Sequence, residues 1–155
     1  MEFLTDEYFM RQALREAATA AERGEVPVGA VAVLDKVIIA RSGNQVEQLK
    51  DATAHAEMLV LTQAANAIGD WRLDQVEIFV TKEPCAMCAG AMVNSRLRRV
   101  VYGLADPKYG ACGSTLNVCR QPGALWQVQC DSGVLADECL ALIQSFFRSV
   151  RAKKN

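Results

Sequence analysis

The order of hydrophobic and polar residues divides the chain into alternating helices and strands. Near the beginning, apolar residues recur at helical spacing behind two acidic residues, and Gly24 ends the pattern, which predicts an amphipathic helix. Three similar patterns follow further along the chain. The four predicted helices cover approximately residues 5–24, 53–69, 84–95 and 135–150.

Short runs of β-branched and aliphatic residues predict strands between these helices. The runs cover residues 28–34, 37–40, 76–81, 99–103 and 128–130. Asp35 and Lys36 separate the first two runs, which indicates an antiparallel hairpin. Strands that alternate with helices at this spacing predict an α/β layered sheet, with mostly parallel pairing after the hairpin. No repeat or linker interrupts the pattern, so residues 1–155 are expected to form a single domain.

Composition places the chain among ordinary globular proteins. Its 155 residues are 51% hydrophobic and 23% charged, with a formal net charge of −1. No apolar run approaches the ~18 residues of a membrane-spanning helix. Glu2, Asp6 and Glu7 stand where a signal peptide carries basic residues. We therefore expect a cytoplasmic protein that has no membrane partner.

Charge is unevenly distributed, because the last ten residues carry four cations and no acid. The cations are Arg148, Arg151, Lys153 and Lys154. A basic block at a chain end fits contact with phosphate groups. It fits equally well with the preference of a helix C-terminus for positive charge, so both interpretations stay open here.

The chain has six cysteines and one histidine. Without an export signal, the cysteines indicate metal or redox chemistry rather than a disulfide framework. Cys85 and Cys88 lie three residues apart after Pro84, so on a helix they share one face near its N-terminus. His55 is expected in the first turn of its own helix, with Thr53 as the N-cap.

A right-handed crossover would bring the N-termini of these two helices to the same edge of the sheet. One imidazole and two thiolates would then converge on a tetrahedral Zn²⁺ whose fourth position is open, which is typical of a catalytic zinc site. Glu57 is not required as a ligand and is placed to move a proton. A redox protein with a Cys-x-x-Cys motif and a non-enzymatic zinc module with a fourth ligand remain alternatives.

The other four cysteines, Cys112, Cys119, Cys130 and Cys139, show no metal-ligand spacing. We expect them to be buried thiols in apolar surroundings. Only Cys112, in a glycine-rich loop, is considered as an additional ligand.

His55-Ala56-Glu57 followed by Pro84-Cys85-Ala86-Met87-Cys88 resembles the signature of the zinc-dependent cytidine and adenosine deaminase superfamily. Other segments resemble the bacterial tRNA-specific adenosine deaminases within it, namely residues 25–31, 91–96, 99–103 and 133–139. The chain departs from that pattern at Leu125-Trp126, where the family has Asn-His, and at Ala52, where proline is common. Neither departure touches the zinc motif.

The resemblance implies a three-layer α/β/α cytidine-deaminase-like fold whose five-stranded mixed sheet begins with an antiparallel hairpin. It implies a homodimer with one Zn²⁺ per subunit that converts adenosine to inosine at the wobble position of a tRNA anticodon, typically in an arginine tRNA. A deaminase of a free base or nucleoside on the same fold is the nearest alternative, and it needs no basic chain end.

The resemblance also implies roles for individual residues. His55, Cys85 and Cys88 correspond to the zinc ligands, and Glu57 corresponds to the catalytic proton shuttle. Asn44 corresponds to an asparagine that contacts the flipped nucleotide. The remaining substrate-binding positions implied in this way are Val28, Ala56, Asp106, Lys108, Phe146, Phe147 and Arg148.

Overall fold

A computed structural model describes residues 3–154, so Glu2 of the acidic N-terminus lies outside the described part. Helices and strands alternate as the sequence predicts. In chain order they are α1 (Asp6–Glu22), β1 (Gly29–Leu34), β2 (Val37–Gly43), α2 (Val46–Leu49), α3 (Ala56–Ile68), β3 (Val76–Lys82), α4 (Ala86–Asn94), β4 (Arg99–Leu104), β5 (Gln129–Asp131) and α5 (Ala136–Lys154).

The five strands form one mixed sheet in the order β2-β1-β3-β4-β5. β1 pairs antiparallel with both β2 and β3, whereas β3, β4 and β5 are parallel. Asp35 and Lys36 have φ angles of 55° and 66°, the left-handed values that a two-residue hairpin turn requires. The predicted sheet and its initial hairpin are confirmed.

Helices cover both faces of the sheet. Side chains from α3 and α4 pack with Ala30, Ile78 and Val100 on one face. Phe9 from α1 and Cys139 from α5 belong to the cluster on the opposite face. This alternation along the strands gives three layers, helix, sheet and helix, as predicted.

The first helix lies directly against the beginning of β1. A Cβ atom at Gly29 would collide with the backbone of Ala13 and Ala17 in α1. Glycine at this position therefore lets the helix and the strand approach closely. Thr5 caps α1, because its hydroxyl oxygen accepts a hydrogen bond from Tyr8 N–H at 3.2 Å.

The helix N-termini at the predicted site differ from the sequence expectation. α3 begins at Ala56 with His55 as its N-cap residue. Thr53 does not cap it, because its hydroxyl donates to Asp51 Oδ1 at 2.7 Å within a turn. α4 begins at Ala86, so Cys85 is its N-cap residue rather than a residue of the first turn.

Two further differences concern helix length. The short helix α2 was not predicted, and α5 continues to Lys154 instead of ending near residue 150. The basic residues near the chain end therefore lie on helical turns. Among residues 3–154, the structure contains no helix with the length and apolar character needed to cross a membrane.

Candidate metal centre and active site

Three predicted ligands meet at the N-termini of two neighbouring helices. His55 precedes α3, Cys85 precedes α4, and Cys88 lies in the first turn of α4. His55 Nδ1 is 3.6 Å from Cys85 Sγ and 3.5 Å from Cys88 Sγ. The crossover that the sequence predicted thus brings an imidazole and two thiols, separated by some thirty residues of chain, into one cluster.

The donor set fits zinc in both type and spacing. Zn–N and Zn–S bonds of about 2.0 and 2.3 Å at a tetrahedral angle place the nitrogen and sulfur atoms about 3.5 Å apart. The distances from Nδ1 to the two sulfur atoms match this value. In the described part of the chain the cluster comprises three donor residues, and Cys112 belongs to a different group. The three side chains could therefore hold a tetrahedral ion together with one further ligand, such as water.

Hydrogen bonds within the cluster favour ionisation of one thiol. The Cys88 thiol and the His55 ring lower the pKa of Cys85 to about 3. Cys88 has a raised pKa, because it donates to the Cys85 thiolate and is buried. The same thiolate raises the pKa of His55 by favouring the protonated ring. A cation bound here would replace these protons, since metal ligands bind in their deprotonated forms.

Glu57 lies beside the cluster and is 4% exposed. Burial raises the pKa of its carboxyl group to about 6, because the charged form is poorly solvated there. A carboxyl group with this pKa exchanges protons readily near neutral pH. Glu57 therefore has the environment of a general acid and base.

The cluster lies in a cavity of about 590 Å³. His55, Glu57 and Cys85 line it together with Asn44 and Val28. Its other walls come from the segment before β1, the segment after β3, the β4–β5 loop and the end of α5. The additional lining residues are Gly24, Glu25, Val26, Val46, Glu47, Lys82, Glu83, Asp106, Tyr109, Phe146, Phe147 and Val150.

Asn44 is tied to the beginning of α3. Its Oδ1 atom accepts a hydrogen bond from Ala56 N–H at 3.0 Å, and its own N–H donates to the Val28 carbonyl at 3.0 Å. Asn44 thereby satisfies a backbone donor that the extended N-cap residue His55 leaves free. Since Oδ1 faces Ala56, the side-chain NH₂ group is the part of Asn44 available to a ligand in the cavity.

The structure does not place every implied substrate-binding residue on the cavity wall. Ala56 is completely buried and lines no part of the cavity, because its position is inside the first turn of α3. Lys108 and Arg148 are exposed and also lie outside the lining. Asp106 lines the cavity, but its carboxylate already accepts hydrogen bonds from the N–H groups of Lys108 and Tyr109 and pairs with Lys82.

Sequence reasoning missed two buried carboxylates on the cavity wall. Glu25 accepts hydrogen bonds from the Glu47 and Gln48 N–H groups at 3.0 and 2.8 Å, so it holds α2 in place. Glu83 accepts bonds from the Asp106 and Cys112 N–H groups, each at 3.0 Å. The only sequence signal for Glu83 is its position two residues before a predicted metal ligand.

Leu125 and Trp126, which depart from the family pattern, lie in the β4–β5 loop. Trp126 is half-buried against the core, and its Nε1–H donates to the Leu97 carbonyl at 2.8 Å. Leu125 is 78% exposed. The structure therefore shows Trp126 packed against the core rather than free to stack on a base.

Comparison with known proteins identifies the family of this chain. The MafB19-like deaminase family matches residues 4–151. The tRNA-specific adenosine deaminases of Bacillus subtilis and Agrobacterium fabrum are 47% and 46% identical to this chain. The alignments cover 96% and 93% of this chain and 92% and 95% of the two relatives.

A solved structure from a study of A-to-I editing by tRNA:A34 deaminases at the wobble position of transfer RNA superposes with a TM-score of 0.84. It is 46% identical, and the match covers 87% of this chain and 98% of that one. This similarity confirms the predicted cytidine-deaminase-like fold. The chain therefore belongs to the family of tRNA-specific adenosine deaminases.

Proposed function

We propose that this protein deaminates adenosine to inosine at the wobble position of a tRNA anticodon and releases ammonia. The observation that carries the proposal is the cluster of His55, Cys85 and Cys88 beside the buried Glu57 in an open cavity. The reaction is a hydrolysis of the C6–N bond of the adenine amidine. An arginine tRNA is the proposed substrate, in line with the family resemblance.

Zinc is the proposed cofactor, one ion per subunit, held by His55, Cys85 and Cys88. When bound, zinc polarises a water molecule and lowers its pKa, which makes it an effective nucleophile at neutral pH. Glu57 accepts a proton from the attacking water and delivers it to N1 of the adenine. The water oxygen bonds to C6. Glu57 then takes the proton of the resulting C6 hydroxyl group and delivers it to the amino group, so that the C6–N bond breaks and ammonia leaves.

The ligand set is tested by Cys88→Ser, with Cys139→Ser as the matched control. Both thiols are buried, but Cys139 packs on the opposite face of the sheet, outside the cluster. We expect Cys88→Ser to lose this zinc ion and the deaminase activity together, while Cys139→Ser keeps both. Metal content measured by mass spectrometry decides the matter, and an undiminished metal content in Cys88→Ser would reject the ligand set.

The wall of the cavity that α5 forms favours an RNA substrate over a free base. Phe146 and Phe147 line it, and Phe147 is 42% exposed. The last turns of α5 carry three cations, Arg151, Lys153 and Lys154. Aromatic rings that stack on bases next to cations that contact phosphates are typical of single-stranded nucleic acid sites. An anticodon loop presents such unpaired bases, so flipping its wobble adenosine costs little.

We further propose that Asn44 donates a hydrogen bond from its side-chain NH₂ to the flipped nucleotide and that Val28 packs against it. Asp106 positions the β4–β5 loop at the cavity rather than contacting RNA through its carboxylate. The protein is proposed to act as a homodimer in the cytoplasm, where its tRNA substrate is found.

The decisive experiment measures inosine formation in a synthetic anticodon stem-loop with adenosine at the wobble position. Free adenine, guanine and cytosine are tested alongside for ammonia release. We expect inosine at that single site and no turnover of the free bases. Ammonia from a free base without inosine in the stem-loop would retain the hydrolytic chemistry but overturn the RNA substrate.

A further inference from the structure

A second group of thiols lies away from the active site. Cys112, Cys119 and Cys130 place their sulfur atoms within 4.8 Å of one another. Cys112 Sγ and Cys119 Sγ are 3.1 Å apart, closer than the ~3.5 to 4.0 Å at which non-bonded atoms pack. Cys112 is 7% exposed and Cys119 is completely buried. The burial expected for Cys112 and Cys119 is confirmed, but the sequence did not indicate that their sulfur atoms lie in one group with that of Cys130.

The three thiols come from separate parts of the chain. Cys112 and Cys119 flank a small hairpin, in which Cys112 bridges Asn117 and Val118 N–H donates to the Ala111 carbonyl at 2.8 Å. Cys130 is the central residue of the edge strand β5 and pairs with Val100. The tertiary structure thus brings together three thiols that no short sequence motif predicts to be neighbours.

We infer that Cys112, Cys119 and Cys130 form a second metal site, which binds a soft, thiophilic d¹⁰ cation such as zinc. Thiolate ligands select such cations over magnesium or calcium. A disulfide would use only two of the three sulfur atoms, whereas one ion engages all three. Zn–S bonds of about 2.3 Å require sulfur atoms about 3.8 Å apart, so binding needs only a small separation of Cys112 and Cys119.

This ion has a structural role in the long loop between β4 and β5. The loop spans residues 105–128 and contributes Asp106 and Tyr109 to the cavity. Glu83 holds the first half of this loop by accepting a hydrogen bond from Cys112 N–H. A metal ion bound by the three thiols would also attach Cys112 and Cys119 to Cys130 in β5. A long irregular segment needs such attachments to hold one conformation.

The experiment counts metal ions in the intact protein, purified under reducing conditions, loaded with zinc and freed of excess metal. We expect two zinc ions per chain. Cys119→Ser and Cys130→Ser should each contain one ion and still form inosine, since neither residue lines the active-site cavity. Cys139→Ser, a buried thiol outside both groups, should retain two.

Cadmium substitution provides a measurement that needs no variant. A second cadmium ion bound by three thiolates should add a cadmium–thiolate charge-transfer band larger than that of the first site, which has two thiolates and an imidazole. Hydrogen exchange in residues 105–128 should become at least several-fold faster when the second ion is absent.

Two results would overturn the inference. One is a zinc content of the wild-type protein that is no higher than that of Cys119→Ser and Cys130→Ser. The other is a disulfide between Cys112 and Cys119, identified by peptide mapping of the metal-free, denatured protein. Neither result depends on deaminase activity, so the inference fails or holds independently of the proposed function.

Discussion

His55 and Cys85 occupy equivalent positions in two different helices, each as the extended N-cap residue. An N-cap side chain normally accepts a hydrogen bond from the helix backbone, but neither of these side chains does. Both instead point to a shared point between the helices. At the residue scale, the cluster forms because two capping positions are occupied by side chains that do not cap, and Asn44 supplies one of the missing hydrogen bonds.

Glu57→Gln tests the proton shuttle while keeping the size of the side chain. The amide cannot accept and return the proton, so we expect inosine formation to fall about a hundred- to ten-thousand-fold. Zinc content should be unchanged, because Glu57 is not a member of the ligand group. Single-turnover kinetics with the stem-loop and metal analysis measure the two effects, and wild-type turnover would remove Glu57 from the mechanism.

Substitutions of Asn44 separate its two roles. Asn44→Ala removes the acceptor for Ala56 N–H and should lower the free energy of unfolding by about 1 kcal/mol. Asn44→Asp retains the acceptor but loses the NH₂ donor, so we expect near wild-type unfolding and a weakened affinity for the stem-loop. Denaturant titration and KM measurements distinguish the effects, and equal stability of both variants would contradict the capping role.

At the scale of elements, Arg99 joins parts of the fold that are distant in sequence. From β4 it binds Asp6 of α1 at 2.7 Å, Glu77 of β3 at 2.9 Å and Asp131 of β5 at 2.8 Å. Its side chain is only 18% exposed. Three carboxylates around one guanidinium secure the end of the sheet opposite the active site and attach α1 to it.

Arg99→Ala should lower the free energy of unfolding by about 1 to 3 kcal/mol, because it leaves the carboxylates without their partner. Arg98→Ala, which removes the exposed neighbouring arginine, is the matched control and should have little effect. Thermal unfolding at neutral pH measures both variants. Equal destabilisation by the two would show that the network contributes no more than a surface cation.

The same network predicts a pH dependence. Arg99 holds the pKa of Asp131 below its ordinary value, so the folded state binds the proton more weakly than the unfolded state. This contribution to stability is complete above about pH 5 and is lost as the pH falls through the lowered pKa. We expect the stability difference between wild type and Arg99→Ala to shrink between pH 5 and pH 3 in denaturant titrations, and a constant difference would contradict the coupling.

At the scale of the whole molecule, the active-site cavity is assembled by segments from the entire length of the chain. Val28, Asn44, Glu83 and Tyr109 line it, and Phe147 belongs to the final helix. Since α5 carries acidic residues in its first turn and basic residues in its last, the positive charge is concentrated on the side of the cavity formed by the end of this helix. This charge distribution suits a phosphate-bearing substrate, even though the net charge of the chain is −1.

Replacing the four cations at the end of α5 with glutamine tests this surface. They are Arg148, Arg151, Lys153 and Lys154. The slope of log affinity against log salt for the stem-loop should decrease by about 0.7 for each phosphate that is no longer neutralised by a cation. Lys36→Gln, at the opposite end of the sheet, should leave the slope unchanged. Fluorescence anisotropy over a salt titration provides the measurement, and an unaltered slope in the fourfold variant would exclude α5 from RNA binding.

Hydrophobic periodicity was sufficient to predict the five strands, four of the five helices and the initial hairpin, because burial of one face dictates which residues must be apolar. It missed α2, since four residues are too few for a period and Glu25, far away in the sequence, holds this helix. It misplaced the start of α3, since Thr53 is a good capping residue whose hydroxyl binds Asp51 instead.

The sequence by itself determined the candidate ligands His55, Cys85 and Cys88 and the neighbouring Glu57, because these residues stand in two short motifs at the beginnings of two helices. Only the tertiary structure decided which residues complete the cavity. It excluded Ala56 and Lys108, included Glu25 and Glu83, and brought Cys112, Cys119 and Cys130 together. The physical reason is that such neighbourhoods arise from the pairing and packing of distant segments, and no local period or spacing in the chain records them.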